Sequence, residues 1–259
     1  MNTATAEKQN KIMYISQAEN FSKIPGSPIA YWLSSSMFNA FNGLKLNDYG
    51  ITRLGMTTGE NARFVRLWYE VDRENEDFTV SSQNELDRTP NRYWVPYNKG
   101  GEYRKWYGNN ECVVFWKENG KAIKNFADEK TGRIRSTVPN TEYYFKLCAS
   151  WSKISSGRIA FRCKNNSIFD VAGACLFANE NNTLFYLMGI LNSNVVMALL
   201  EAMSPTLNFE GGQISSLPIV YSKENDVVVE NIVNENIRQS KSDWDSFETS
   251  WDFKKHPLI

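Results

Sequence analysis

The sequence predicts an α+β fold, with a mixed β-sheet and flanking helices followed by a helix pair and a C-terminal helix. Three observations lead to this prediction. Short segments rich in β-branched and aromatic residues occupy most of the first two thirds of the 259-residue chain, and apolar residues recur at helical spacing in the last third. Hydrophobic residues make up 42% of the chain, which is enough for a substantial core.

The first predicted element is an amphipathic helix over residues 27–43. Ser27 is a suitable N-cap, Pro28 suits the first helical position, and an Asn-Gly pair would end the helix. Its buried face would include Ile29 and Trp32, because they share a helical stripe with later apolar residues.

Strands are predicted from alternation and from β-branched or aromatic content. In the first of them, Val65, Leu67 and Tyr69 lie on one face and Arg66 on the other. A Ser-Ser-Gly turn joins the third and fourth strands into a hairpin. The predicted strands are 63–71, 113–116, 149–154, 158–163 and 167–177.

The last third of the chain changes to helical patterns. Residues 181–193 place apolar side chains at helical spacing, and Ser193 or Asn194 can cap a second helix that ends before Pro205. The final amphipathic helix would bury one set of side chains: Val229, Ile232, Val233 and Ile237.

An acidic and aromatic tail, SDWDSFETSWDF, follows that helix. Its rings have no obvious partner, so residues 240–259 are expected to be mobile or held against the helix pair. The expected organisation is a lead-in with the first helix (1–45), a central domain (46–222), and the C-terminal helix with an incomplete tail (223–259).

Charge is distributed unevenly along a chain whose net charge is zero. Residues 91–164 carry 15 basic and 6 acidic side chains, whereas residues 165–259 carry 5 and 12. Such asymmetry suggests a surface for a polyanion, although lysines neutralised by acidic neighbours in space would give the same count. The four cysteines, with no C-x-x-C pair, and the lack of a secretory signal indicate reduced thiols and a cytoplasmic protein.

Motifs for catalysis are missing from the sequence. It has no P-loop, G-x-G-x-x-G, G-x-S-x-G or H-E-x-x-H motif, and one histidine disfavours a triad or a zinc site. It also lacks the (Asn/Asp/Ser)-Pro-Pro-(Tyr/Phe) tetrapeptide that holds a flipped base and a glycine-rich loop for S-adenosylmethionine. We therefore expect no catalytic, cofactor or metal residues in this chain, and no methyl transfer by it alone.

Six segments carry a resemblance to a known family: GMTTGENARFVRLWYEV, YWVPYNKGGEYRKWYGNN, NTEYYFKLCASWSKISSGRI, IFDVAGACLF, LMGILNSNVV and PTLNFEGGQISSLPI. Through them the chain, from about Ile15 onward, resembles the part beyond the catalytic domain of the PglX family of BREX-associated adenine-specific DNA methyltransferases. More distantly it is similar to the target-recognition domains of TaqI-like methyltransferases and type I specificity subunits.

The resemblance implies a target-recognition-domain-like fold, double-stranded DNA as partner, and a role in phage defence. The catalytic half of the family is absent, so the resemblance implies a fragment, with S-adenosylmethionine bound in the absent domain. That missing methyltransferase domain and other defence-system proteins are further expected partners, and no membrane contact is expected.

The segment YNKGGEYRKWY is the first predicted DNA contact. Two glycines allow close backbone approach, cations suit phosphate or guanine, and rings can pack on sugars. The alternative is a hairpin with core aromatics and solvated cations. The residues are Lys99, Arg104, Lys105, Trp106 and Tyr107.

Three other groups are weaker candidates for DNA contact. Arg133 and Arg135 share a side of an extended chain and suit consecutive phosphates, or form a solvated face. The second group is a glycine loop before a strand, which could read bases or merely form a turn. The third group is a hairpin tip that carries two more cations. Asn208 is interpreted as a structural residue. These groups supply Thr58, Asn61, Arg63, Lys153 and Arg158.

Three function classes fit the sequence. The leading one is a DNA-binding recognition module of an adenine-specific methyltransferase. The second is a protein-interaction module that docks onto the missing catalytic domain or another defence protein. The third, a carbohydrate-binding protein, rests on the eight tryptophans and twelve tyrosines but lacks a secretory context. DNA binding that weakens steeply with salt separates the first class from the others.

Overall fold

The structure, a computed structural model, describes residues 16–203, 208–256 and 258–259. It contains two four-stranded sheets and several helices, which confirms the α+β class. The strands are β1 (Gly50–Arg53), β2 (Val65–Leu67), β3 (Trp94–Asn98), β4 (Cys112–Phe115), β5 (Cys148–Ser150), β6 (Arg162–Lys164), β7 (Ile168–Phe169) and β8 (Cys175–Ala178). The α-helices are α1 (Ala18–Phe21), α2 (Ser35–Ala40), α3 (Asn61–Phe64), α4 (Gln83–Leu86), α5 (Lys117–Lys124), α6 (Asn181–Leu191), α7 (Asn194–Met203), α8 (Gly211–Ser215) and α9 (Asp226–Trp244).

Each sheet has its own topology. The first has strand order β1-β8-β5-β6 and is antiparallel throughout. The second has order β2-β4-β3-β7, in which β3 and β7 are parallel and the other pairs antiparallel. The prediction of mixed strand directions is therefore correct for the second sheet.

The first sheet lies between two hydrophobic cores because its side chains alternate. Ala149 and Leu176 face the core shared with the helices. Cys148, Cys175 and Phe177 face the opposite core, which the second sheet also lines. Successive residues of a strand point to opposite faces, so β5 and β8 link the two cores directly.

The predicted helix over residues 27–43 is wrong in its first half. Ser27 has a φ of 48°, outside the range of an N-cap, and the chain turns until Ser34. The Ser34 hydroxyl accepts a hydrogen bond from the Met37 amide and caps the shorter helix α2. Ile29, expected to be buried, is 72% exposed.

Two predicted strands are interrupted by side-chain hydrogen bonds. In 63–71, only Val65–Leu67 pairs with β4, because the Glu70 carboxylate accepts from the Leu67 amide and turns the chain into a 3-10 helix. In 167–177, Asp170 accepts from the Ala172 amide and forms a tight turn, so β7 and β8 enter different sheets.

The helical last third agrees better with the prediction. The Ser193 hydroxyl accepts from the Val196 amide at the start of α7, as expected for a cap. Helix α7 ends at Met203, whereas Pro205 lies outside the described residues. Helix α9 buries Val233 against α6, but Ile232 is 57% exposed because it lies on the outer side of the helix.

No single helix in the described ranges has both the length and the apolar character needed to cross a membrane. Helices α6 and α7 meet the length and composition criteria only as a pair, bent by 71°.

The acidic tail after α9 has packing partners that its sequence did not identify. Trp244 is buried, and the Trp251 ring stacks on Phe78 with centroids 4.5 Å apart and planes inclined by 8°. The Trp68 indole donates to the Thr249 carbonyl at 2.9 Å. The tail therefore packs on the chain around residues 68–78 and not on the helix pair as expected.

Candidate nucleic-acid interface

The loop Lys99–Tyr107 directs its first two predicted DNA contacts into the protein. Lys99 Nζ lies 2.9 Å from Oδ2 of Asp170, a buried carboxylate. Arg104 lies 2.9 Å from the Asp243 carboxylate and 5.0 Å above the Trp244 ring. Both cations therefore hold distant parts of the fold against this loop.

The other three predicted contacts of this loop are also engaged internally. Lys105 Nζ donates to the Asn192 carbonyl at 2.7 Å, at the junction of α6 and α7. The Trp106 backbone pairs with the strand entering β6, and its ring packs against the helical core. Tyr107 accepts from Lys241 Nζ at 3.4 Å, and burial raises the pKa of its phenol.

Gly108 shows how closely this loop meets α9. It has a φ of 119°, and a Cβ atom there would lie 2.3 Å from Arg104 Cδ and 3.0 Å from Trp244 Cε3. No side chain fits in that space. Gly108 therefore allows contact with the protein's own helix, and Gly100 packs on the backbone of Ala172, whereas the sequence had suggested approach to a duplex.

Two further cations of the basic middle segment are buried beneath the loop. Arg162 donates to the carbonyls of Glu102 and Arg104 and to the Ser152 hydroxyl, and burial lowers the pKa of its guanidinium to about 10. Lys164 Nζ donates to Gly108 and to the two following asparagines, and burial lowers its pKa to about 7. These charges counted toward the basic segment, yet they do not reach the surface.

The hairpin-tip cations are paired as well. Lys153 lies 3.0 Å from Glu210, and Arg158 lies 3.3 Å from Glu201. Asn208 forms an isolated β-bridge with Ile154, consistent with a structural role. These pairs join the hairpin to the helical layer.

The structure brings together the remaining two groups of predicted contacts, residues 57–63 and 127–137. Thr57 and Thr137 exchange backbone hydrogen bonds of 2.8 and 3.0 Å. Gly59, with a φ of 78°, packs so closely that a Cβ atom would lie 2.9 Å from the Arg135 backbone and Cβ. Two segments more than 60 residues apart thus form one surface.

Both loops have internal hydrogen bonds that fix their shape. In 127–137, the Asp128 amide donates to the Arg133 carbonyl, and the Asp128 carbonyl accepts from the Gly132 amide. The Asp128 carboxylate accepts from Thr131, which lowers the pKa of that carboxyl. In 57–63, the buried Thr58 hydroxyl donates to the Asn61 amide oxygen at 2.8 Å.

Three predicted arginines lie on this surface, which we call the arginine face. Arg63 and Arg135 both lie over the Phe126 ring, with guanidinium carbons 5.2 and 5.5 Å from its centroid. Arg133, Arg63 and Arg135 are all exposed, and none makes an ion pair with any residue in the described ranges. The ring holds two cations near each other without neutralising them.

Two residues of this surface were missed by the sequence analysis. Phe126 is the platform for two arginines, and Glu60 is an exposed carboxylate in the loop between Gly59 and Asn61. Glu60 could have been found from its place in the glycine loop. The role of Phe126 could not, because the arginines it contacts are 63 and 9 residues away in the sequence.

The comparisons with known proteins give a consistent relationship. No protein-family model matches the chain. The chain is 41% identical over 261 aligned residues to the adenine-specific methyltransferase PglX of Lacticaseibacillus casei (strain Zhang), an alignment that covers 99% of this chain and 21% of the relative. It is 32% identical over 245 residues to the adenine-specific methyltransferase BrxX of Escherichia coli O9:H4 (strain HS), covering 93% and 18%. The resemblance to adenine-specific methyltransferases is confirmed, and the chain spans about one fifth of the length of these relatives.

Proposed function

We propose that the chain is a DNA target-recognition module of an adenine-specific methyltransferase acting in phage defence, and that it contacts duplex DNA through the arginine face. One observation carries this proposal. Arg63, Arg133 and Arg135 are exposed on two interlocked loops and form no ion pair with a carboxylate of the described residues, whereas the cations of the other predicted sites are held by the protein itself. The names of the two relatives support it.

Arginine chemistry suits this role. A guanidinium has five donors in a planar arrangement and can pair with a phosphate through two hydrogen bonds. An arginine without a carboxylate partner binds a phosphate without first breaking an ion pair, and each phosphate neutralised releases counterions from the duplex. Fixed loops also lower the ordering cost of binding.

Methyl transfer and S-adenosylmethionine binding belong, in this proposal, to a catalytic domain of the methyltransferase and not to this chain. The sequence motifs for both are missing from these 259 residues. Titration calorimetry of this chain with S-adenosylmethionine tests the assignment: we expect no binding, and saturable one-to-one binding would contradict it.

A second candidate function, protein docking, is favoured by an apolar groove between α7 and residues 218–220. Val195 and Val220 at its rim are 66% and 83% exposed, and Leu199 lines its floor. The missing catalytic domain is the expected occupant. Apolar docking depends little on salt, and Val195→Asp would disrupt it without changing DNA affinity.

The test of the DNA proposal is fluorescence anisotropy with a labelled duplex over a series of salt concentrations. We expect log affinity to fall linearly with log salt, and Arg133→Glu with Arg135→Glu to weaken binding to every duplex and reduce the slope by roughly 2 units. The matched control is Lys223→Glu with Arg238→Glu, which changes net charge equally on exposed residues at and near α9. Equal weakening by both double variants would contradict the proposed face.

A further inference from the structure

We propose that Glu60 is a specificity-determining residue that accepts a hydrogen bond from the exocyclic amine of a DNA base, adenine N6 or cytosine N4. The inference rests on the proposed function and concerns the same surface. Its starting point is a carboxylate placed where phosphate binding alone would disfavour one.

Glu60 is exposed on the loop that Arg63 and Arg135 flank. Its carboxylate makes no hydrogen bond and no ion pair with any residue of the described ranges, although Arg63 is only three positions away. Arg63 instead lies over the rings of Phe64 and Phe126, at 5.3 and 5.2 Å. The Glu60 carboxylate and the Arg63 guanidinium therefore do not pair.

An unpaired carboxylate on a phosphate-binding surface opposes binding, because phosphate groups carry negative charge and have no proton to donate. An ionised carboxylate can only accept hydrogen bonds. In the major groove the hydrogen-bond donors of the bases are adenine N6 and cytosine N4. Guanine presents only acceptors there, and thymine presents an acceptor and a methyl group. A base amine is therefore the DNA group that complements Glu60.

The backbone of this loop is held in the way that base reading requires. The Glu60 carbonyl accepts from the amides of Arg63 and Phe64, both at 3.2 Å, and Thr57 is paired with Thr137 across the two loops. Gly59 packs on Arg135, which leaves little freedom for the residue that follows. A side chain on a fixed backbone can discriminate among bases because a wrong base cannot be accommodated by loop movement.

Asn61 adds a donor beside this acceptor. Its amide oxygen accepts from the Thr58 hydroxyl, which leaves the amide NH₂ group available next to Glu60. Adjacent donor and acceptor side chains can contact neighbouring positions of one base edge or of consecutive base pairs.

The experiment begins with selection of preferred sites from a pool of duplexes with a randomised core, using this chain. Affinities for the selected duplex and a scrambled duplex are then measured for the parent, Glu60→Gln and Glu60→Ala. The matched control is Glu142→Gln, an exposed carboxylate outside both loops. We expect Glu60→Gln to lower the ratio of selected to scrambled affinity about tenfold, and Glu142→Gln to leave that ratio unchanged.

Base analogues identify the amine. Each adenine of the selected site is replaced in turn by purine, and each cytosine by pyrimidin-2-one, which carry hydrogen in place of the exocyclic amine. One such replacement should weaken the parent about tenfold and leave Glu60→Ala unaffected, and the analogue concerned tells adenine from cytosine.

The outcomes separate the two proposals. Salt-dependent binding by the parent, with Glu60→Gln binding all duplexes more tightly in the same order, would show a merely repulsive charge and overturn the inference while leaving the DNA-binding function intact. Binding without any sequence preference would overturn both the inference and the recognition role, and would leave only DNA binding through the arginine face. A parent that binds no duplex at any salt concentration would overturn the proposed function itself.

Discussion

Arg104 and Arg135 were both predicted to contact DNA, but the residues around them differ. Arg104 lies between a carboxylate and an indole of α9. Arg135 lies on a phenyl ring and forms no ion pair in the described part of the chain, although its charge adds to the Thr131 hydrogen bonds that lower the pKa of Asp128. At this scale, the neighbours supplied by the fold determine whether a cation is available to a ligand.

Replacing Arg104 by alanine should therefore lower stability and leave DNA affinity unchanged. An exposed ion pair contributes up to about 1 kcal/mol and a cation–π contact about 0.5–1 kcal/mol, so we expect a loss of about 1 kcal/mol in the free energy of unfolding. Urea denaturation and anisotropy measure the two effects. Arg135→Ala is the matched control, expected to show the reverse pattern, and equal losses of DNA affinity in both variants would contradict this assignment.

Lys164 should make stability depend on pH. Burial lowers the pKa of its ammonium to about 7 in the folded state from an ordinary value of 10.5, so above pH 7 the unfolded chain binds a proton that the folded chain does not. The free energy of unfolding should then rise with pH between 7 and about 7.5, at up to ~1.4 kcal/mol per pH unit.

The measurement is urea denaturation of the parent and of Lys164→Met at several pH values in that window. The upper limit keeps the window below the range around pH 8.5 in which cysteine thiols of the unfolded chain ionise. The slope should be absent in Lys164→Met. A parent whose stability is constant or falls across the window would show that the three oxygen acceptors at Nζ keep this lysine charged.

Among the elements, the C-terminal tail differs most from expectation. Its two tryptophans find partners on the loops around residues 68–78 and 104–108, and Ser250 is buried with its hydroxyl donating to Asp245 at 2.7 Å. This packing could not be predicted from local patterns because the partners lie more than 130 positions away. The tail and α9 together connect the helical layer to the second sheet.

Trp251→Ala should loosen this tail. Loss of the Phe78 stack and of its buried area is expected to cost about 1–3 kcal/mol of unfolding free energy and to speed amide exchange over residues 241–253. Phe247→Ala is the control, because Phe247 is 51% exposed and stacks on no ring of the described residues. Identical exchange rates in the parent and Trp251→Ala would indicate that the stack does not hold the tail.

Local elements were predictable from the sequence where local interactions determine them. The α6–α7 junction follows from apolar spacing and the Ser193 cap. The antiparallel pairing of β5 with β6 was also predicted, but each strand has only three residues, and the chain between Ser150 and Arg162, including the predicted turn, lies outside the sheet. The helix expected from Ser27 did not form there because a second serine, Ser34, caps a shorter helix and the preceding residues turn into the core. The sequence pattern alone could not show which of the two serines caps the helix.

At the scale of the whole molecule, the unpredicted part is the set of contacts between distant segments. The sequence identified every arginine of the arginine face, but it ranked the Lys99–Tyr107 loop first because cations and rings are dense there. Their partners, among them Asp170 and Asp243, are 71 and 139 residues away, so their pairing could not be read locally. The fold engages the cations of the Lys99–Tyr107 loop in internal contacts. It leaves the three cations of the arginine face exposed.

Amide hydrogen exchange with and without a saturating duplex tests the central claim, which is that DNA binds the arginine face and not the glycine loop. We predict slower exchange over residues 57–63 and 127–137 in the complex, and unchanged exchange over 99–107. Binding at low salt with protection of 99–107, and none over 57–63 or 127–137, would contradict the claim.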